Sequence, residues 1–283
     1  MPVEEIILLF FFGAAVGSFL NVLGPRYSLN KGFNAKGRSK CPHCKNTLTW
    51  KELVPFLSFI IQGGKCKKCG KKISWHYPLV EFLGGLALLL PIMIFGYTLQ
   101  AGIWAVVFWL LILMSYIDLR LKIIPNGIVF WLLVLGAVNV SNLLQLKGSD
   151  TLSTNPGLGS FIGHYSLMFE SSNGLVANYI IGTLFGLVLF GGIYLFSKGK
   201  AMGLGDVKLV FALGLLMRWP DIGLALILSF ILGSIVGLYQ MSKGDINLKS
   251  SVPFGPFIAS GVVLVFFFGY DIVNAYFKLF GLI

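Results

Sequence analysis

Eight apolar runs, near residues 4–23, 78–97, 100–118, 123–145, 175–197, 204–220, 221–241 and 255–279, set what this chain can become. A helix needs about 20 mostly apolar residues to cross a bilayer, and most of these runs reach that length. Inside hydrocarbon every backbone N–H and C=O must be bonded within the chain, which leaves helices as the natural answer to long uninterrupted runs. Charged residues make up only 12% of the chain and the mean hydropathy is +0.84, whereas roughly a quarter of the residues of a soluble domain are charged. The expected fold is an all-α polytopic membrane protein with about eight transmembrane helices. The sixth run differs from the rest. It carries Asp206, Lys208 and Arg218, so it reads as a helix that touches protein or water on one side. The first run has Glu4 and Glu5 where a secretion signal has basic residues, and is therefore read as a permanent helix.

Three segments follow: a first helix at 1–23, a polar module at 24–77 that holds all four cysteines, and a membrane domain at 78–283. The connection 146–174 is rich in Ser, Gly and Asn and reads as a loose loop without chemistry. Orientation follows from the basic residues, which are retained on the cytoplasmic side during insertion. With the amino terminus outside, 19 of the 22 Lys and Arg residues fall on inner segments, twelve of them in 24–77. The net charge of +11 is then a topology signal, with anionic lipid head groups as the counter-charge. No basic stripe interleaved with aromatics stands out, so no nucleic-acid partner is expected.

The cysteines form two pairs, Cys41-x-x-Cys44 and Cys66-x-x-Cys69, separated by 21 residues. That is the spacing of a structural zinc site built from two knuckles, each presenting two sulfurs to a tetrahedral ion. A reducing inner face argues against disulfides. A module of some 50 residues with little apolar content needs the metal for much of its folding free energy. His43 and His76 are possible ligands, but four thiolates already fill the shell and surface histidines are the plainer reading. Trp50 and Trp75 either pack the module or meet the membrane interface.

Of only eleven acidic residues, Asp118 and Asp206 stand out as acids placed at a helix end inside apolar sequence. Asp118 closes the third in SYIDLRLKIIPN, and Asp206 opens the sixth in AMGLGDVKL. After three spans and after five the chain is on the same face, so both carboxylates face one side at similar depth. Two carboxylates within hydrogen-bonding distance share a proton. The charged one can take a proton from water while the other polarises a scissile carbonyl, which is the equipment of peptide hydrolysis. Gly203 and Gly205 remove two side chains next to Asp206 and allow close approach by a helix or an extended peptide. Pro125 is placed to start the next span with a sharp re-entry, and Pro253 and Pro256 bracket a break before the last. The plainer readings are an interfacial Asp118 paired with Arg120 or Lys122, and an Asp206 that caps its helix. Glu81 either holds an amine or lines a second site, or is an interfacial acid paired with Lys. Lys208 either stabilises the Asp206 carboxylate or snorkels to lipid phosphates.

These motifs resemble those of the type IV prepilin peptidases, aspartyl proteases of the GxGD class. The resemblance runs through GSFLNV (17–22), RSKCPHC (38–44), LTW (48–50), KCKKCG (65–70), YPLVE (77–81), IDLR followed by IPN (117–126), MGLGDVKL (202–209) and PFGPFIA (253–259). It implies that Asp118 and Asp206 are the catalytic pair, on the cytoplasmic side of a bacterial inner membrane. It implies cleavage after glycine, between the basic leader and the apolar helix of prepilins and pseudopilins. It also implies methylation of the new amino terminus with S-adenosylmethionine, an activity linked to the cysteine module. The chain departs from the pattern at Asn126, where many relatives have aspartate, and at GPRYSLN after the first motif, where relatives have Arg-Leu-Pro. The competing classes are a transporter using Asp118 and Asp206 as a proton or cation relay, and a scaffold recruiting partners through the zinc module. Presenilin-like proteases share the chemistry, but their Pro-Ala-Leu motif does not occur in this chain. Oligomeric state is not legible.

Overall fold

A computed structural model describes residues 1–29, 32–33, 37–147, 160–163, 165, 174–244 and 252–281. The helices are α1 (Val3–Arg26), α2 (Leu57–Ile61), α3 (His76–Phe95), α4 (Leu99–Leu121), α5 (Asn126–Lys147), α6 (Leu175–Phe196), α7 (Leu204–Met217), α8 (Asp221–Ser242) and α9 (Gly255–Leu279), with a short 3₁₀ turn at Trp50–Glu52. Seven of these, all but α2 and α7, are long and apolar enough to cross a membrane. Many of their large apolar side chains, such as Phe12, Val188 and Phe196, point out of the protein, as expected where lipid is the solvent.

The sixth run folds as α7, which has only 14 residues. At 1.5 Å per residue it is about 21 Å long, short of the roughly 30 Å hydrocarbon core. It stops where Arg218 takes a positive φ of 57°. Arg218 is itself buried beside Asp221. Most of α7 is buried, packed against α5 and α6.

The chain divides into two compact units, Met1–Ile117 and Asp118–Ile283. In the first, α1 crosses α3 through glycines. A Cβ on Gly17 would lie 2.6 Å from the Val80 carbonyl oxygen, so no larger residue permits this approach. Small residues that let backbones touch are the usual means by which helices associate in lipid, where no hydrophobic drive exists between them. The indole of Trp109 on α4 then donates to the Gly84 carbonyl at 2.9 Å.

In the second unit, polar ties join α5, α6 and α7. Asn139 donates to the Tyr179 hydroxyl and to the Leu216 carbonyl, both at 3.4 Å. Most of the connection 146–174 lies outside the described residues. Its stretch at Ser160–Ile162 is anchored rather than loose: Ser160 Oγ donates to the fully buried Asp221 carboxylate, 2.8 and 2.7 Å from its two oxygens, and the Ile162 N–H donates to the same carboxylate at 3.0 Å. A buried carboxylate needs such donors, and composition alone does not reveal that a Ser-rich loop supplies them.

Candidate active site and metal module

Asp118 sits in the last turn of α4 and is 4% exposed. Its Oδ2 accepts the backbone N–H of Gly255 at 2.9 Å. Gly255 is the first residue of α9, so this N–H is one of the donors that a helix leaves unpaired at its start. The positive end of the α9 dipole faces the same carboxylate. Asp118 thus caps a distant helix, and no neighbouring cation pairs with it among the described residues. This use of the break between Pro253 and Pro256 is the part of the site that sequence reasoning missed. The two prolines marked the break, but nothing local indicated which side chain it receives.

Asp206 is half-buried at the third position of α7, and its Oδ2 accepts the Gly203 N–H at 3.2 Å. The capping role is therefore real. It coexists with a second relation, since the charge on Asp118 is felt at Asp206. What brings the two segments together is Gly205. A Cβ there would lie 3.2 Å from Cβ of Ile124, so glycine lets the start of α7 close onto the loop that follows Asp118. Pro125 is buried and directly precedes α5, and its carbonyl accepts the N–H of Ile128 at 3.1 Å. Lys208 is exposed and donates to Asn126 Oδ1 at 3.3 Å, across the same junction, rather than to either carboxylate.

Glu81 belongs to the other unit. It is 8% exposed, and its carboxylate accepts the Phe56 N–H at 3.1 Å with no lysine paired to it among the described residues. His76 begins α3 with its ring against Tyr116, centroids 4.7 Å apart, so it is partly buried rather than a surface histidine. Trp75 is exposed at the module edge, its ring 5.0 Å from Phe59.

The four cysteines converge. All four sulfurs lie within 4.8 Å of one another, and those of Cys41 and Cys69 are 4.0 Å apart. Tetrahedral zinc with bonds near 2.3 Å would hold sulfurs about 3.8 Å apart, so the set fits the ion with little adjustment. Each pair is a knuckle of the same design. The Cys41 carbonyl accepts from Lys45 and the Cys66 carbonyl from Gly70, both at 2.9 Å, and both acceptor turns end on a residue with positive φ. Gly70 takes that conformation without strain, whereas Lys45 bears a side chain in it. Backbone N–H groups of Cys44 and His43 pull the Cys41 thiol down to about 7, while against the Lys71 N–H, burial and the neighbouring sulfurs push that of Cys69 up to about 11, as expected where clustered thiols cannot all ionise without a cation among them. His43 is exposed.

The fold and sites define a class: a multi-pass helical membrane protein with a pair of aspartates at helix ends and a separate four-thiolate module. Residues 11–95 match the model of the bacterial peptidase A24 N-terminal domain, and residues 105–238 that of the type IV leader peptidase family. A Bacillus subtilis protein named prepilin leader peptidase/N-methyltransferase is 30% identical, over 96% of this chain and 98% of its own length. Proteins of the same name from Pseudomonas aeruginosa and Stutzerimonas stutzeri are each 28% identical, over 99% and 97% of this chain and 96% and 94% of theirs. No solved structure gives a significant match. The chain belongs to the type IV leader peptidase family.

Proposed function

We propose that this chain is a membrane-embedded aspartyl endopeptidase that removes the basic leaders of type IV prepilins or pseudopilins, cutting after glycine, and N-methylates the new amino terminus. Asp118 and Asp206 are the catalytic pair. The observation that supports this reading is that two acids 88 positions apart in the chain lie in one unit, close enough for the charge of Asp118 to act on Asp206, each accepting a backbone N–H at a helix start. A proton relay would instead place its acids near mid-span, and these stand at helix ends.

Sharing one proton, the ionised carboxylate takes a proton from water, and the protonated one donates to the scissile carbonyl oxygen. The water oxygen bonds to the carbonyl carbon. The roles reverse as the C–N bond breaks and the leaving amine takes a proton. The Gly255 and Gly203 N–H groups keep the carboxylates in position through both steps. Gly203 is exposed next to Asp206, which leaves room for the unwound backbone that hydrolysis needs. The substrate's apolar helix stays in lipid, while its basic leader remains near acidic lipids on the inner face of a bacterial cytoplasmic membrane.

Cys41, Cys44, Cys66 and Cys69 would hold structural zinc, which fixes the module's fold. When bound, S-adenosylmethionine would supply the electrophilic methyl group for the second activity.

The test is cleavage of a prepilin in membranes by Asp118→Asn and Asp206→Asn, each nearly isosteric. Each is expected to lose about 10²–10⁴-fold in rate, the range of a general acid or base. Full cleavage by both variants would overturn the assignment.

A further inference from the structure

Beneath the metal module is a cavity of about 820 Å³, lined by the end of α1, the start of α3, and both knuckles. Its size is that of sites for small organic ligands, and it lies wholly within the first unit. Two buried side chains from facing helices stand in its wall. Asn21, 7% exposed, donates through Nδ2 to the Tyr77 carbonyl at 3.1 Å, while its Oδ1 has no hydrogen-bond partner. Glu81 has the Ser18 side chain beside it and, among the described residues, no cation within ion-pair distance. Arg26, which lines the same cavity, directs its guanidinium to the carbonyls of Gly37 and Arg38, each at 3.1 Å.

A buried carboxylate without a counter-charge, beside an orphaned acceptor, is costly unless a ligand brings positive charge and N–H donors. The rim adds Lys40, Lys71 and Lys72, which suit a carboxylate at the other end of the same ligand. We infer that this cavity binds S-adenosylmethionine, with Glu81 and Asn21 receiving its cationic part. This rests on the N-methyltransferase reading above. The freed amino terminus of a processed pilin offers the same ammonium chemistry, and the test separates the two.

Calorimetry on the full-length, zinc-loaded protein in detergent would measure binding of S-adenosylmethionine, of S-adenosylhomocysteine, and of a short peptide with the mature pilin amino terminus. Glu81→Gln, which is nearly isosteric, is expected to raise the Kd for S-adenosylmethionine about tenfold or more, the scale of one charged hydrogen bond. Ser58→Trp, on the short helix α2 at the cavity wall, is expected to block it by filling space. Unchanged zinc content in each variant shows that the module is intact. Loss of affinity for both adenosyl compounds places the amino-acid ammonium at Glu81, and loss for S-adenosylmethionine alone places the sulfonium there. Both outcomes support the site. Equal affinity in wild type and both variants would overturn it, as would a Glu81→Gln variant that loses only the peptide. A wild type that cleaves prepilin but binds no S-adenosylmethionine would sink this inference and leave the peptidase standing, whereas one that does neither would remove the functional reading as well.

Discussion

The metal module and the aspartate centre are built on opposite principles. Each knuckle is a local object: two cysteines three positions apart, a carbonyl accepting an N–H four residues on, and a left-handed residue to close the turn. Only the pairing of the knuckles is long-range, and a metal ion would enforce it. The aspartate centre has almost no local component. Asp118 is fixed by an N–H 137 positions away, and Asp206 is brought near it by a glycine closing on Ile124. A site of the first kind would depend on one metal ion, and a site of the second kind depends on backbone contacts between distant segments.

The sharpest way to break this contrast is to remove the metal. Structural zinc contributes on the order of 10 kcal/mol to small domains that have little core of their own. Chelation, or Cys41→Ser, is expected to expose residues 27–75 to protease while the helices around Asp118 stay protected, as read by limited proteolysis and zinc analysis. Prepilin cleavage should fall by less than about tenfold, since helix packing rather than the ion positions the aspartates. If cleavage vanishes together with the metal, the two regions are one cooperative structure and the contrast is wrong.

This difference also explains what could be read from the sequence. The membrane helices and the thiolate set were legible because a 20-residue apolar run and a C-x-x-C pair state their physics within a few turns of chain. Asp118 and Asp206 could be suspected because acids are expensive in apolar sequence. Their partners could not be found that way. Gly255 carries its N–H on the backbone, invisible to any side-chain pattern. The short length of α7 was masked by the apolar residues that continue past Arg218, and the anchoring of Ser160 by Asp221 depends on a contact 61 positions long. Asn21 and Glu81 lie within motifs, but their convergence on one cavity is a property of the glycine-mediated crossing of α1 and α3.

A smaller effect distinguishes the two aspartates. Lengthening each by one methylene keeps the charge and shifts the carboxylate by about 1 Å, which can cost around 10²-fold where geometry is critical. Asp118→Glu is expected to reach that loss, because the side chain is 4% exposed and must also give up its bond to Gly255. Asp206→Glu, at a half-buried helix start with room on the Gly203 side, should lose no more than about tenfold. Prepilin cleavage rates of the two variants decide it. Equal losses would mean that the packing around Asp118 does not set the precision of the centre.

The smallest expected effect lies at Asn126. Its Oδ1 accepts from Lys208 at 3.3 Å in an exposed position, so Asn126→Asp converts a neutral hydrogen bond into a surface ion pair across the junction between α5 and α7. Such pairs contribute about 0–1 kcal/mol, because both ions keep most of their hydration and the long lysine side chain must be ordered. The variant should therefore melt within a few degrees of wild type and cleave prepilin within about threefold of its rate, with the small difference shrinking as salt is raised. A loss of cleavage beyond about tenfold, unaffected by salt, would mean that a third negative charge at this junction reaches the shared proton. The aspartate centre would then extend to α5, and its boundary would have to be drawn by electrostatics instead of by the backbone contacts that hold Asp118 and Asp206.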